Sequence, residues 1–129
     1  MRIILLYILI FLLTGQISFS YNVEVIDKNQ FEILDTLDFG SFCELADKSI
    51  EVNVRNYSGN EITLKEPVLS NEQHFSASFT GDKRLDKDGS VGMDVHFTAA
   101  DTGYYETMLY LYCEEEPGIK DSLLLTAKV

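Results

Sequence analysis

Basic residues are scarce in this 129-residue chain. Ten lysines and arginines stand against 21 aspartates and glutamates, and the net charge is −11 at pH 7. A surface this acidic repels phosphate backbones, so we expect no nucleic-acid partner. Long hydrophobic runs are also scarce: residues 3–13 form a run of eleven apolar residues, whereas a membrane-spanning helix needs about 20. We therefore expect no transmembrane segment once this run is removed.

The short apolar run has the flanks of a secretory signal peptide. Arg2 precedes it, polar and small residues interrupt it at 14–16, and Ser18 and Ser20 form a small-x-small pattern. We predict a signal peptide over residues 1–20, cleaved after Ser20. The product would be exported and would be periplasmic, exposed at the cell surface or secreted. An uncleaved anchor is the alternative.

Motifs that carry catalysis are missing as well. The sequence has no G-x-S-x-G elbow, no H-E-x-x-H motif and no glycine-rich phosphate loop. His74 and His96 have no cysteine or histidine at ligand spacing, and cations interrupt the aspartates at 82–88. We expect a non-enzyme with no metal and no cofactor.

Helical periodicity is absent, and alternation with a period of two replaces it. Strands are predicted at 22–27, 36–42, 49–55, 61–66, 74–80, 90–98, 105–113 and 122–129. Turn signals separate them, among them residues 56–60, where Gly59 or Asn60 can supply a positive φ. The spacing predicts an all-β, immunoglobulin-like β-sandwich of about seven antiparallel strands. We place this domain at 36–129, after an N-terminal extension at 21–35 that holds a short extra strand.

The order of short motifs along these strands resembles a known domain family. The motifs are LDFG at 37–40, VRNYSGNEITL at 54–64, Phe75, LDKDGSVGMDVHF at 85–97, and Gly103 before a tyrosine-rich strand. This order is similar to the ASH or Hydin-like domain, an immunoglobulin-like sandwich akin to the major sperm protein fold, and in particular to secreted bacterial domains of that superfamily. The resemblance implies a binding or scaffolding module without catalytic residues. Ala99 stands where the family usually has proline, which predicts a looser corner at 98–103.

Two cysteines, Cys43 and Cys113, leave two alternatives open. An even count in an exported chain suggests a disulfide. Alternating strand directions put the two residues at opposite ends of the sandwich, about 23 Å apart. A disulfide needs Cα atoms within about 7 Å, so unbridged thiols are the alternative.

A run of tyrosines in the strand at 105–113 is a candidate binding surface. Tyr104, Tyr110 and Tyr112 alternate with the predicted core residues of this strand, and tyrosine presents an apolar body with a polar tip. This stripe would bind protein or carbohydrate if it is exposed. The alternative is that residues 21–33 pack over it with Val23, Val25, Phe31 and Ile33.

Asn56 begins the tripeptide Asn-Tyr-Ser, which is an acceptor sequence for N-glycosylation in a predicted turn. The alternative is that Asn56 and Ser58 simply build this turn.

The sequence as a whole favours a non-catalytic exported interaction module that binds a protein partner through a strand edge or loops. A carbohydrate-binding module that uses the tyrosine stripe on a cell-surface glycan is the second hypothesis.

Overall fold

The computed structural model describes residues 23–27, 33–115, 118 and 120–129. This part of the chain is built from strands and contains no helix that could cross a membrane. The strands are β1 (Val23–Ile26), β2 (Thr36–Ser41), β3 (Ala46–Asn56), β4 (Ile62–Thr63), β5 (Val68–Leu69), β6 (Phe75–Phe79), β7 (Arg84–Leu85), β8 (Ser90–Ala99), β9 (Tyr104–Tyr112) and β10 (Lys120–Lys128). The predicted signal peptide lies outside the described residues.

Two four-stranded sheets enclose the core. Sheet A has the order β1-β3-β8-β6 and sheet B has the order β2-β10-β9-β5. Alternation is clearest in β8, where every second residue is buried and the residues between them are exposed or half-buried. The all-β sandwich that the alternation predicts is confirmed. The extra N-terminal strand is an integral part of it, because β1 pairs with β3 along its full length.

Two of the short strands, β5 and β7, were not predicted, whereas β4 lies within the strand predicted at 61–66. β4 and β7 pair as a separate two-stranded ribbon, with Ile62 opposite Leu85. β5 pairs with β9, with Val68 opposite Tyr110. β5 and β7 have two residues each, too few to show an alternation, so only the folded chain identifies these two strands.

The expectation of purely antiparallel strands is wrong for one pair. β2 runs parallel to β10, with Thr36 opposite Leu124 and Leu37 opposite Leu125. The expectation rested on the helical crossover that directly connected parallel strands need. β2 and β10 are separated by the rest of the domain, so the intervening strands make the connection and no crossover helix is required.

An aromatic cluster fills one end of the core, and Phe97 is its centre. Its ring centroid lies 4.9 Å from that of Phe75, 5.4 Å from Tyr105, 5.8 Å from Phe39 and 6.0 Å from Phe42. These separations and the tilted planes are typical of favourable aromatic packing. Phe97 is fully buried between the sheets and therefore joins β8 of sheet A to β2 and β9 of sheet B.

The corner between β8 and β9 is held more firmly than the sequence predicts. Ala99 is buried and pairs with Ala46, so β8 continues through the position where the family usually has proline. Gly103 and Val129 exchange two backbone hydrogen bonds of 3.0 and 2.9 Å. The Tyr105 hydroxyl donates to the carbonyl of Asp101 at 2.7 Å. Sheet pairing and a tyrosine hydrogen bond thus take the place of the missing proline.

Removal of that hydroxyl is expected to destabilise the fold slightly. Tyr105→Phe keeps the ring beside Phe97 and loses one hydrogen bond, so the free energy of unfolding should fall by about 1 kcal/mol. Tyr104→Phe is the matched control, because Tyr104 is 65% exposed and lies outside the aromatic cluster. Urea unfolding followed by circular dichroism measures both variants. Equal midpoints for the two would show that the corner does not depend on the Tyr105 hydroxyl.

Candidate functional site

The tyrosine stripe does not form one continuous platform. Tyr104 is 65% exposed at the start of β9, whereas Tyr110 and Tyr112 are half-buried near its end. Six residues of extended chain separate Tyr104 from Tyr110, which is about 20 Å. The pKa of the Tyr104 hydroxyl is raised above its ordinary value, mainly by partial desolvation and to a smaller extent by the negative charge of Glu106. The stripe therefore divides into one exposed ring and a pair of partly covered rings.

Residues 21–33 were the alternative cover for the tyrosine stripe, but the described part of this segment does not lie over it. Val23 and Val25 are buried in the core between the sheets, and Ile33 is 62% exposed. Phe31 lies outside the described residues. The outer face of sheet B instead carries half-buried Met108 and Leu124 opposite one another, next to Tyr110 and Val68. We refer to Val68, Met108, Tyr110, Tyr112 and Leu124 as the outer patch.

Cys43 and Cys113 lie at opposite ends of sheet B. Ser41, at the end of β2, is opposite Lys128, which is opposite Tyr104 at the start of β9. Cys113 follows the other end of that nine-residue strand, about 30 Å away. Cys43 is exposed, Cys113 is buried, and no disulfide joins them. The bridge suggested by the cysteine count is not formed, in agreement with the strand directions.

Asn56 is buried and holds two loops together. Its Nδ2 donates to the carbonyls of Asn60, Leu85 and Asp86 at 2.6, 3.3 and 3.0 Å. Its Oδ1 accepts from the backbone N–H of Ser58 at 2.9 Å. Gly59 has the positive φ, +80°, that the turn requires. Glycosylation of Asn56 does not fit this geometry, because the nitrogen that would carry the glycan is fully buried among carbonyl oxygens.

Sequence reasoning missed a hydrogen-bonded series on the outer face of sheet A. Ser49 Oγ lies 2.6 Å from His96 Nδ1, and His96 Nε2 lies 2.8 Å from Asp47 Oδ1. Residues of this type in series can activate a serine nucleophile. The side chains of Asp47 and His96 are 68% and 38% exposed, however, so water surrounds the series on an open sheet face. It links β3 to β8, and only their register, which puts Ser49 opposite His96, could have revealed it.

Within the described residues, three of the four edges of sheets A and B are obstructed. At β1, Leu34 donates its N–H to the carbonyl of Val25 at 2.8 Å. At β2, Gly40 has a φ of +94° and its N–H bonds to the Asp38 carboxylate, so this edge is irregular. At β5, the strand has two residues and follows Pro67, which has no N–H. Short, irregular and proline-flanked edges are the devices that prevent unwanted pairing.

The fourth edge, β6, is regular and open. Its register with β8 pairs Ser76 with His96 and Ser78 with Asp94, and Thr80 donates to the carbonyl of Gly92. Antiparallel strands bond through alternate residues, so the even-numbered residues of β6 bond to β8. The N–H and C=O groups of Phe75, Ala77 and Phe79 therefore point away from β8, and within the described residues no strand pairs with them.

The β6 edge borders a groove and carries no charge. The strand reads Phe-Ser-Ala-Ser-Phe, without the lysine, proline or acid that usually protects an edge. Ser76 and Ser78 are exposed, and the alternate side chains turn toward the core. An open groove of about 320 Å³ lies between β5 and β6. It is lined by Pro67, Leu69, Glu72, Phe75, Ser76 and Ala77.

Comparison with known proteins defines the fold. No family model matches the sequence, and no curated protein matches it. Among solved structures, a protein of unknown function from Porphyromonas gingivalis W83 is similar with a TM-score of 0.64 and 11% identity, over 84% of this chain and 47% of that chain. This chain thus spans about half the length of that protein.

Two further structures are similar over most of this chain. The ASH/PapD-like domain 7 of human CEP192 has a TM-score of 0.59 and 15% identity, over 85% of this chain and 86% of that chain. The VesB protease of Vibrio cholerae has a TM-score of 0.56 and 13% identity, over 90% of this chain but 34% of that chain. The fold is that of an ASH/PapD-like immunoglobulin-like sandwich, as the motif order predicts. Sequence identities this low support a shared fold and give no information about activity.

Proposed function

We propose that this chain is an exported, non-catalytic interaction module that binds an extended protein segment as an added strand on β6. Export is supported by the signal-peptide pattern at residues 1–20. An interaction role is supported by the ASH/PapD-like fold. The observation that carries the proposal is the open edge of β6, where three alternate residues, Phe75, Ala77 and Phe79, point their N–H and C=O groups away from β8.

Strand addition at such an edge gives both affinity and selectivity. Main-chain hydrogen bonds to Phe75, Ala77 and Phe79 would hold the added strand, whatever its sequence. The groove beside β6 would then select its side chains, because alternate residues of the added strand face Leu69 and Phe75. Those positions favour apolar side chains, while the positions beside Ser76 and Ser78 favour polar ones.

A carbohydrate-binding role has weaker support. Binding by stacking needs several exposed aromatic rings within reach of one glycan, and Tyr104 stands about 20 Å from the half-buried Tyr110. The two rings of the outer patch, Tyr110 and Tyr112, are half-buried. We therefore favour protein binding at β6 over glycan binding at β9.

Selection of displayed peptides tests this proposal. A library of linear nine-residue peptides is selected on the immobilised exported protein, whose N-terminus is read by mass spectrometry to locate the cleavage site. We expect bound peptides to alternate apolar with polar residues. Ala77→Pro should weaken their binding about tenfold, because it removes the central N–H donor. That N–H points away from β8, so the β6–β8 ladder is retained.

Ala77→Ser is the matched control, since it has nearly the same size and keeps the N–H. We expect its affinity to stay within twofold of the original protein. Peptides that bind the proline variant equally well would contradict the β6 site. Binding to a glycan array that is lost in Tyr104→Ala would support the carbohydrate alternative instead.

A further inference from the structure

We infer that the strand accepted by β6 is the β6 strand of a second copy of this chain. The inference rests on the proposed function, since it uses the same open edge and names its partner. The strand is a palindrome: Phe75-Ser76-Ala77-Ser78-Phe79 reads the same in both directions. An antiparallel pair of identical strands aligns each sequence with its own reverse, and a palindrome therefore places like opposite like.

A two-fold axis beside Ala77 satisfies every open group on this edge. Ala77 would lie opposite Ala77 of the second copy, and Phe75 opposite Phe79 of the second copy. All three of these residues point their N–H and C=O groups outward. Residues opposite one another in an antiparallel hydrogen-bonded pair exchange two bonds. Three such pairs make full use of the donors and acceptors of both strands and join the two A sheets into one.

The side chains fit the same register. Ser76 would lie opposite Ser78 of the second copy on the outer face, where hydroxyl groups can bond across the strands. On the inner face, Phe75 and Phe79 of one copy meet the same residues of the other, with the small Ala77 at the axis. Neither strand brings a charge to the contact, which matters because each chain carries a net charge of −11.

The resulting assembly is closed. A two-fold contact uses the same surface of both copies and leaves no second β6 edge exposed. The other edge of sheet A, at β1, is occupied by the hydrogen bond from Leu34 to Val25. The edges of sheet B are irregular at Gly40 of β2 and limited to two residues at β5. The pairing therefore stops at a dimer and does not extend into a fibre.

Sedimentation equilibrium of the exported protein is the first test. We expect a reversible monomer–dimer equilibrium that weakens at low ionic strength, where the net charges repel more strongly. Ala77→Pro should raise the dissociation constant at least tenfold, because the axial pair loses both of its bonds. Ala77→Ser should leave it within twofold. A dimer that is unaffected by the proline variant would use another surface, and the inference would be wrong.

Engineered cysteines test the register. Cys43 is exposed, so Cys43→Ser is introduced first to remove background oxidation. Ser76→Cys and Ser78→Cys are then prepared as separate proteins in that background. Opposite residues of a non-hydrogen-bonded pair lie about 4.5 Å apart at Cα, whereas residues displaced by two positions lie about 7–8 Å apart.

We expect a mixture of the two cysteine variants to form a mixed disulfide dimer faster than either variant links to itself. Equal or faster self-linking would overturn the proposed register. A protein that is monomeric up to millimolar concentration would overturn the second copy as the partner. If such a monomer still binds displayed peptides in a manner that depends on Ala77, the strand-accepting function stands and the partner is a different protein. If the protein is monomeric and its peptide binding does not depend on Ala77, the β6 edge is not a binding site.

Discussion

Replacement of Phe97 by alanine is expected to lower the free energy of unfolding by about 4 kcal/mol. The side chain is fully buried, and its ring contacts Phe39, Phe75 and Tyr105 across the two sheets. Truncation removes the transfer free energy of the ring and leaves a cavity that strands held in register on both sides cannot close. The loss of favourable ring geometry adds to it. A domain of this size has a total stability of about 5–15 kcal/mol, so the substitution should remove a large fraction of it.

Phe42→Ala is the control for this variant. Phe42 is half-buried and its ring lies 6.0 Å from Phe97 at the margin of the cluster. We expect a loss of about 1–2 kcal/mol, in proportion to the smaller apolar area that it buries. Urea unfolding by circular dichroism at low protein concentration, where a dimer makes no contribution, measures both. Equal losses would show that the cluster has no centre and that Phe97 is one core residue among many.

Local alternation predicted the long strands well, because each long strand has one buried and one exposed face. The segment 90–98 was predicted from its alternation, and β8 is Ser90–Ala99 with strict burial of every second residue. The core face of β9 followed in the same way from Leu109 and Leu111, which are buried. These features depend on the period of the chain and on no distant partner.

Features that depend on distant partners were not predictable. The parallel pairing of β2 with β10 joins residues about 90 positions apart, such as Thr36 and Leu124, and no turn signal specifies it. The series Ser49, His96 and Asp47 exists because β3 and β8 pair in one particular register. A register shift by one residue would move these side chains to the other face.

The β6 edge is an intermediate case. Its alternation and its lack of charge are visible in the sequence, and these alone suggest a strand with one buried face. That it is an edge, and the regular one among the four, follows only from the sheet order. Protection of the β1 edge also depends on tertiary structure, because the hydrogen bond from Leu34 to Val25 requires the residues after β1 to lie beside it. The sequence therefore predicts a strand edge as the binding surface, but it does not identify which strand forms that edge.

Replacement of Asn56 by alanine is expected to cost about 3 kcal/mol of folding free energy. The buried amide donates to three carbonyls, two of which belong to Leu85 and Asp86, roughly 30 residues along the chain. Without the amide, buried acceptors lose their donor and the turn at Ser58 loses its acceptor. Buried polar groups left without partners account for many of the large losses seen in single variants.

Asn56→Asp separates hydrogen-bond chemistry from size. Aspartate has nearly the same shape, but it replaces the donor nitrogen with an oxygen that faces carbonyl oxygens. We expect this variant to be at least as unstable as Asn56→Ala at pH 7. Asn71→Ala is the control, because Asn71 Oδ1 accepts from the N–H of Gln73, at 2.9 Å in an exposed turn, and its loss should be about 0.5 kcal/mol. Near-normal stability of the aspartate variant would mean that the side chain at position 56 merely fills space. A large loss in both Asn56 variants would show that its amide joins the turn after β3 to the loop after β7 and thereby fixes the β4–β7 ribbon on the sandwich.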